Sequence, residues 1–195
     1  MKKIILIGAG GHCASCIDVI ENEKKYKIVG LIDNIKKRKV LGYEVIGNDS
    51  ILDKSFLKKN YFLITIGQIK NYKIREKIFK KIKRLKLKFA KIISPLAYVS
   101  KSSKIGVGTI IMHGAIVNAR AVIGKNCIIN SKALIEHDVV IEDNCHISTG
   151  AIINGKTRIS RNTFIGSKAI INNNIVLDKN LVIGANKFIK KGKKI

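Results

Sequence analysis

From Val99 onward an aliphatic residue recurs at every sixth position without a break. The series is Val99, Ile105, Ile111, Val117, Ile123, Ile129, Ile135, Ile141, Ile147, Ile153, Ile159, Ile165, Ile171, Leu177, Ile183 and Ile189. Two residues before most of them the side chain is small, as at Ala97, Ser103, Thr109, Ala115, Ala121, Cys127, Ala133, Cys145, Ala151, Thr157, Thr163 and Ala169. A period of six fits neither an α-helix nor a hairpin; it is the hexapeptide pattern of a parallel β-helix. Each hexapeptide makes one short strand and one turn, and three close a triangular coil of eighteen residues. The aliphatic side chain points into the prism and the small one fits near the corner. The repeats predict about five coils, and at one strand spacing per coil a prism roughly 25 Å tall. Cys127 and Cys145 fall on the small inward position, which makes them packing residues rather than metal ligands.

The first half of the chain follows a different pattern. Lys3–Ile7 is an apolar run ending in glycines, Gly11–Asn22 has helical spacing, and Lys27–Ile32 is a second strand ending at Asp33-Asn34. Ser50–Lys59 reads as a short helix, Tyr61–Ile66 as a strand ending at Gly67, and Lys88–Ile93 as a last strand. Asn71–Leu85 puts Ile74, Ile78, Ile82 and Leu85 on one face of an amphipathic helix. Strand and helix in alternation imply a parallel sheet with helices on its faces. Ser94-Pro95, with the only proline, marks the boundary. The expected fold class is therefore α/β plus all-β: a small Rossmann-like domain over 1–93 and a parallel β-helix over 94–195.

Lys and Arg number 38 against 13 Asp and Glu, a net charge of +25. Such an excess raises nucleic acid or an anionic surface as partners. Eleven basic residues and one acid, Glu76, lie between Lys70 and Lys91; at helical spacing they form a solvated face. The chain is also rich in Ile and Asn, which with Lys are the residues of an AT-rich coding bias. Aromatics are only 6% and Trp is absent, so the stacking platform of a single-strand binder is missing and nucleic acid is an unlikely partner. No apolar run is long enough to span a membrane, and the N-terminal apolar run is too short for a signal peptide. A cytoplasmic protein with four reduced cysteines is expected.

Several constellations carry chemistry. Gly8-Ala9-Gly10-Gly11 follows a strand and opens a helix, where backbone N–H groups can take a diphosphate. Cys13 stands where a dinucleotide fingerprint has its third glycine, which argues against NAD. Cys13-Ala14-Ser15-Cys16 has redox spacing but is explained by one helical turn. His137 follows inward Ile135 by two, at a turn, and so faces out of the prism between Glu136 and Asp138; a carboxylate beside an imidazole fixes its tautomer and raises its basicity. Gly155 lies eighteen residues on, one full coil, and should stack beside His137 with its N–H open. His146 lies nine residues on, half a coil round, out of reach of His137 within one subunit. His113, in a turn without an acidic neighbour, reads as solvated.

The hexapeptide series resembles the left-handed β-helix acyltransferases, a family of trimeric enzymes. Taken with Ile5-Leu6-Ile7-Gly8-Ala9-Gly10-Gly11-His12, Gly30-Leu31-Ile32-Asp33-Asn34, Ile66-Gly67-Gln68 and Ile135-Glu136-His137-Asp138, the whole chain resembles the nucleotide-sugar N-acetyltransferases of bacillosamine and perosamine type together with the sialic acid O-acetyltransferases. The resemblance implies His137 as general base, Asp138 orienting it, and the Gly155 amide holding the thioester carbonyl. It implies acetyl-CoA as cosubstrate, lined by His146, Gly155, Ser167 and Ala185, with no metal. It places a nucleotide sugar at Gly8, Gly10, Gly11 and His12, with Asp33 and Asn34 at the base and ribose and Gly67 and Gln68 closing the other side. In that arrangement Lys187, Lys190 and Lys191 are expected to pair with the coenzyme's phosphates.

The activity this implies is acetyl transfer to the 4-amino group of a nucleotide-linked deoxyamino sugar, for a surface glycan, by a homotrimer with sites between subunits. O-acetylation of sialic-acid-like sugars is the alternative. A non-catalytic polyanion-binding protein on a β-helix scaffold is the remote one, motivated by the charge.

Overall fold

The computed structural model describes residues 1–35, 39–69 and 71–191. The N-terminal domain is built from β1 (Lys2–Ile7), α1 (Gly11–Glu23), β2 (Tyr26–Ile32), β3 (Lys39–Val40), β4 (Tyr43–Gly47), β5 (Tyr61–Ile64), α2 (Lys73–Arg84) and β6 (Lys88–Phe89). They form one sheet in the order β3-β4-β2-β1-β5-β6, parallel except for the β3–β4 hairpin. β1 is buried on both faces after its first residues, which is why it reads as a continuous apolar run.

Seventeen two-residue strands follow, from β7 (Ile92–Ile93) to β23 (Phe188–Ile189). Every described strand of this half pairs in parallel with the strand eighteen residues away, as Ile135 does with Val117 and Ile153. The result is three flat sheets, of six, six and five strands, closed into a left-handed β-helix. The inward aliphatics and small residues form one buried column from Ile111 to Ile189, with Cys127 and Cys145 inside it. Their thiols meet corner carbonyls, Cys127 Sγ to Glu142 O at 3.1 Å and Cys145 Sγ to Ser160 O at 3.3 Å.

The left-handed coil is made at its corners. From Gly108 to Asn186 every sixth residue has a positive φ. That conformation costs most side chains roughly 1 kcal/mol and is tolerated best by Gly, Asn and Asp. The chain fills it with Gly108, Gly114, Gly150, Asp138 and six asparagines, the rest being Arg120, Lys132, Lys156 and Lys168. Part of the asparagine richness is therefore structural. Four of these asparagines form a ladder up one corner. Asn126 Nδ2 donates to Asn144 Oδ1 at 2.9 Å, Asn144 Nδ2 to Asn162 Oδ1 at 3.2 Å, and Asn162 Nδ2 to Asn180 Oδ1 at 2.9 Å.

α1 is the middle layer of the molecule. Its Cys13, Cys16, Ile17, Val19 and Ile20 pack on one side against Ile4, Leu6, Leu31 and Leu63 of the sheet. On the other they pack against Ile92, Ile110, Met112 and Ile128 of the prism. These outward prism residues are fully buried there, each contributing about 2 kcal/mol by area removed from water. α2 covers the opposite face of the sheet with Ile78, Phe79 and Ile82.

Four details differ from the sequence reading. Ser50–Lys59 is no helix but two 3-10 turns, Asp49–Ile51 and Ser55–Leu57, separated by extended Lys54. Lys88–Ile93 splits: Lys88–Phe89 joins the sheet, while Ile92–Ile93 pairs with Ile110–Ile111 as the first rung of the prism. Ile74 is half exposed, and Arg75 beside it is buried instead. The guanidinium crosses the seam, donating from Nη1 to Ile64 O (2.8 Å) and Ile66 O (2.6 Å) and from Nη2 to Asn126 O (3.2 Å) and Asn126 Oδ1 (2.8 Å). It thereby caps the asparagine ladder. Finally, His113 is not simply solvated. Its Nδ1 meets Ser94 Oγ at 2.6 Å and its Nε2 meets Asp18 Oδ2 at 2.7 Å, tying prism to α1. The serine is 1% exposed, so this Ser-His-Asp array is a strut between domains and not a nucleophile.

Replacing Ile129, inward and fully buried, by Ala is expected to cost about 3 kcal/mol in equilibrium unfolding. Lys132→Gly, at a left-handed corner, is expected to be neutral or to stabilise by up to about 1 kcal/mol. Equal losses from both would contradict the account of the corners.

Candidate active site

Two sets of candidate residues lie on different sides of the chain. The first is a cleft of about 490 Å³ lined entirely by the N-terminal domain, among the described residues. Gly8, Gly10, Gly11, His12, Asp33, Asn34 and Gly67 all line it, with Asp49, Ile74 and Ile78 at the far side. Gly8 must be glycine: its φ is +105, and a Cβ would sit 2.4 Å from Ile66 Cγ1. Gly10 and Gly11 are different, because a Cβ on either would meet nothing within 4 Å. Packing does not need glycine there, whereas close approach of a ligand to the backbone does. Gly10 caps α1 without a side-chain hydrogen bond, and the N–H groups of Gly10, Gly11 and His12 have no partner among the described residues. A helix start with open N–H groups can hold an anion.

Asp33 and Gln68 do work the sequence did not show. The Asp33 carboxylate is held by backbone N–H groups of two loops, accepting from Ala9 N at 2.6 Å and from Ile35 N in its own loop at 2.9 Å. It shapes the cleft between the ends of β1 and β2. Gln68 does not line the cleft at all. It is 2% exposed and turned into the seam, where Nε2 donates to Asn144 O at 2.8 Å. The expectation that it closes over the substrate is corrected: the segment Ile66–Gln68 is pulled toward the prism by Arg75 and by His146, whose Nδ1–H donates to Gln68 O at 2.5 Å.

His146 is therefore in the seam, 6% exposed, with its ring 6.4 Å from that of His12 and edge-on to Phe164 at 5.1 Å. Burial, and then the positive charge of Arg75, lower the His12 pKa to about 3. Burial is also the main cause that lowers His146, to about 4. Both rings are neutral at physiological pH. A carbonyl can only accept, so His146 carries its proton on Nδ1 and keeps a lone pair on Nε2. His12 Nε2 lies 3.5 Å from Cys16 Sγ, a thiol that burial pushes well up and so keeps inert.

The second set is on the prism. His137 and Asp138 lie in the turn between β14 (Leu134–Ile135) and β15 (Val140–Ile141). That corner joins the two sheets that do not carry the N-terminal domain. His137 Nδ1 is 2.8 Å from Asp138 Oδ2. Asp138 also accepts from the Arg120 fork, which with the imidazole holds its carboxyl well below the usual carboxylate range. An ionised Asp138 can only accept, so Nδ1 donates and Nε2 is the basic nitrogen. Gly155 stacks on that nitrogen: a Cβ there would lie 2.8 Å from both Nε2 and Cε1. Lys156 N donates to His137 O at 3.1 Å, while the N–H of Gly155 has no partner among the described residues. An exposed imidazole with a free lone pair beside an open backbone N–H is equipped to take a proton and hold an oxyanion. On another corner, where the sheet that carries the N-terminal domain turns into the β14 sheet, Ser167 Oγ meets Ser148 Oγ at 3.0 Å, and Ala185 N packs against Gly166 so closely that a Cβ there would be 2.5 Å away. Arg120 was missed by the sequence reading, although it lies one coil before Asp138.

Residues 3–82 match the family described as PglD N-terminal domain, and residues 120–155 match the bacterial transferase hexapeptide family, six repeats. The acetyltransferase domain of PglB from Neisseria gonorrhoeae superposes over 100% of this chain and 94% of its own, with a TM-score of 0.93 and 29% identity. The same domain in complex with acetyl coenzyme A matches over 96% and 92%, with a TM-score of 0.89 and 29% identity. A mutant perosamine N-acetyltransferase from Caulobacter crescentus, in complex with CoA and GDP-perosamine, shares the fold over 98% of this chain and 90% of its own. Its TM-score is 0.82 at 24% identity. A search of the curated proteins finds no match. The chain thus joins a PglD-type N-terminal domain to a hexapeptide transferase domain, and it is an acetyltransferase. No described helix is long and apolar enough to cross a membrane.

Gly155→Ala is expected to fold, since φ there is not in the left-handed region, but to displace the His137 ring. Turnover should fall at least about tenfold with an unchanged melting temperature; full activity would remove Gly155 from the site. Unfolded histidine takes up its proton near 6.5, and the buried His12 and His146 only near 3 and 4. Between those values the unfolded chain binds more protons. Stability is therefore complete above pH 6.5 and is lost as pH falls toward 4, by on the order of 3 kcal/mol per ring. Thermal melts from pH 7.5 to 4.5 should show this loss, and His146→Gln should reduce it.

Proposed function

We propose that this enzyme moves the acetyl group of acetyl-CoA onto the 4-amino group of a nucleotide-linked deoxyamino sugar. The observation that carries the reading is the stack of an exposed, Asp138-oriented His137 on the open N–H of Gly155. The glycine cradle at the start of α1 supports the nucleotide part: three free N–H groups, two glycines that packing does not require, and a cleft wide enough for a nucleotide. The complexes with acetyl coenzyme A and with CoA and GDP-perosamine in similar proteins support both substrates.

In this reading the amine nitrogen attacks the thioester carbonyl and a C–N bond forms. Its proton passes to Nε2 of His137, while Asp138 holds the Nδ1–H and stabilises the imidazolium. The carbonyl oxygen becomes an oxyanion and is met by the Gly155 N–H. Collapse breaks the C–S bond, and the departing thiolate takes the proton back from His137. His146, Ser167 and Ala185 are assigned to the coenzyme, and Lys187, Lys190 and Lys191 to its phosphates; residues 192–195 lie outside the described part. The acceptor binds at Gly8, Gly10, Gly11, His12, Asn34 and Gly67, on a floor that Asp33 shapes.

The cleft and His137 face different sides of one chain, so the reading requires a second copy whose corner reaches the cleft. The outward positions beside that corner are Tyr98, Ile116, Leu134, Ile152, Ile170 and Phe188 on one sheet, all apolar or aromatic, and Val122, Val140 and Val176 with Lys104 and Arg158 on the next. Faces of this kind are covered by like faces in closed cyclic oligomers, and a homotrimer is the form proposed.

The test is release of free thiol from acetyl-CoA with UDP- and GDP-linked 4-amino sugars and with free sialic acid, beside His137→Ala. The proposal expects turnover with one nucleotide sugar and a loss of at least about a thousandfold in the variant. Turnover only with sialic acid would replace it by hydroxyl acetylation at the same base. Unchanged turnover in the variant would overturn the role of His137.

A further inference from the structure

One ion pair in the prism has a geometry that surface pairs rarely keep. Arg120 Nε donates to Asp138 Oδ1 at 2.6 Å and Arg120 Nη2 to Asp138 Oδ2 at 2.9 Å, a two-pronged fork. Oδ2 is the atom that also accepts from His137 Nδ1. Among the described residues Arg120 is the only arginine at a left-handed corner, a position that otherwise holds Gly, Asn, Asp or Lys. It lies eighteen residues before Asp138, on the same corner, one coil away. The two turns are fixed to each other by Asp138 N donating to Ala119 O at 3.0 Å, and Arg120 N is itself held by Ser102 Oγ at 3.1 Å.

We propose that Arg120 is a positioning residue for the acetyl transfer: it locks the plane of the Asp138 carboxylate, and through it the tautomer and tilt of His137. The proposal rests on the reading of His137 as the base. A carboxylate one residue along the chain from an exposed histidine turns freely about its own side-chain bonds. It would present either oxygen, or neither, to the ring. A planar fork with two donors at fixed spacing removes that freedom. Lysine at the same corner offers a single point charge and cannot set the plane. With both oxygens engaged as acceptors, Nδ1–H is the only hydrogen His137 can direct at Asp138. Nε2 then stays unprotonated, over Gly155. The pair is solvent-exposed, so it adds little to folding. A fork that fixes a base gives a reason for an arginine here that stability does not.

The experiment compares Arg120→Met, Arg120→Lys and Asp138→Asn in the full chain. It uses thiol release with the nucleotide sugar that turns over, together with 15N chemical shifts of the four histidine rings, assigned with His137→Ala. Arg120→Met should lower kcat about ten- to hundredfold. It should leave both KM values within about twofold, as expected for an effect on the chemical step alone. The melting temperature should stay put, and the His137 ring nitrogens should shift toward tautomer averaging. Arg120→Lys should recover part of kcat, and Arg120→Met should add nothing in an Asp138→Asn background. An unchanged kcat, unchanged His137 15N shifts, or a loss confined to KM would overturn the proposal, the last by making Arg120 a substrate ligand. Turnover that survives in His137→Ala would overturn the base reading and this proposal together. A dead His137→Ala beside a fully active Arg120→Met would overturn this proposal alone.

Discussion

The coil of eighteen residues is the constraint on which the rest of the molecule depends. Parallel pairing holds every residue of the prism one strand spacing from the residue eighteen positions away, and left-handed corners keep that register through each turn. Side chains far apart in sequence become fixed neighbours at little entropic cost, because the backbone beneath them is already ordered. Asn118 meets Glu136, Arg120 meets Asp138, His137 meets Gly155, and four asparagines join into a ladder in this way. A base and an oxyanion donor need placement to a fraction of an ångström, and a stacked coil supplies it without loops.

The second organising feature is the seam. α1 is covered on both sides, so the glycine cradle at its N-terminus cannot drift relative to the prism. Polar contacts across the seam include the buried ones of Arg75 to the ladder, Gln68 to Asn144 and His146 to Gln68, and the more exposed tie of His113 to Asp18. Arg75 keeps its charge although burial lowers its pKa to about 10, and it has carbonyl and amide oxygens rather than a carboxylate as partners. Burial first, and then that nearby charge, keep His12 and His146 neutral. A neutral ring at the cleft can accept as well as donate, which suits hydroxyl groups of a sugar or nucleotide more than it suits charge pairing.

Periodicity made the prism legible from the sequence. A six-residue repeat fixes strand, turn, inward face and coil length at once, and the eighteen-residue arithmetic then stacks Gly155 on His137. The same arithmetic reaches Arg120 from Asp138, but an exposed arginine carries no mark of its own until the partner is known. What escaped the reading lay where two domains meet. Arg75 sits in a basic run and looks solvated; its burial depends on a cradle of carbonyls from β5 and from the Asn126 corner. Gln68 and His113 are likewise placed by partners more than seventy residues away. Ser50–Lys59 reads as a short helix, but Lys54 is extended and breaks it into two turns.

The central claim is that the nucleotide cleft of one chain works with the His137 corner of another. Two inactive variants test it when mixed: His137→Ala, and Gly11→Phe, whose side chain fills the cradle where packing leaves space. After the two are unfolded and refolded together in equal amounts, a shared site is intact only when one chain lends its histidine and its neighbour lends its cleft. The account predicts recovery of about a quarter of wild-type turnover by random assembly. Mixtures as inactive as their parents would contradict it and place the whole site within one chain.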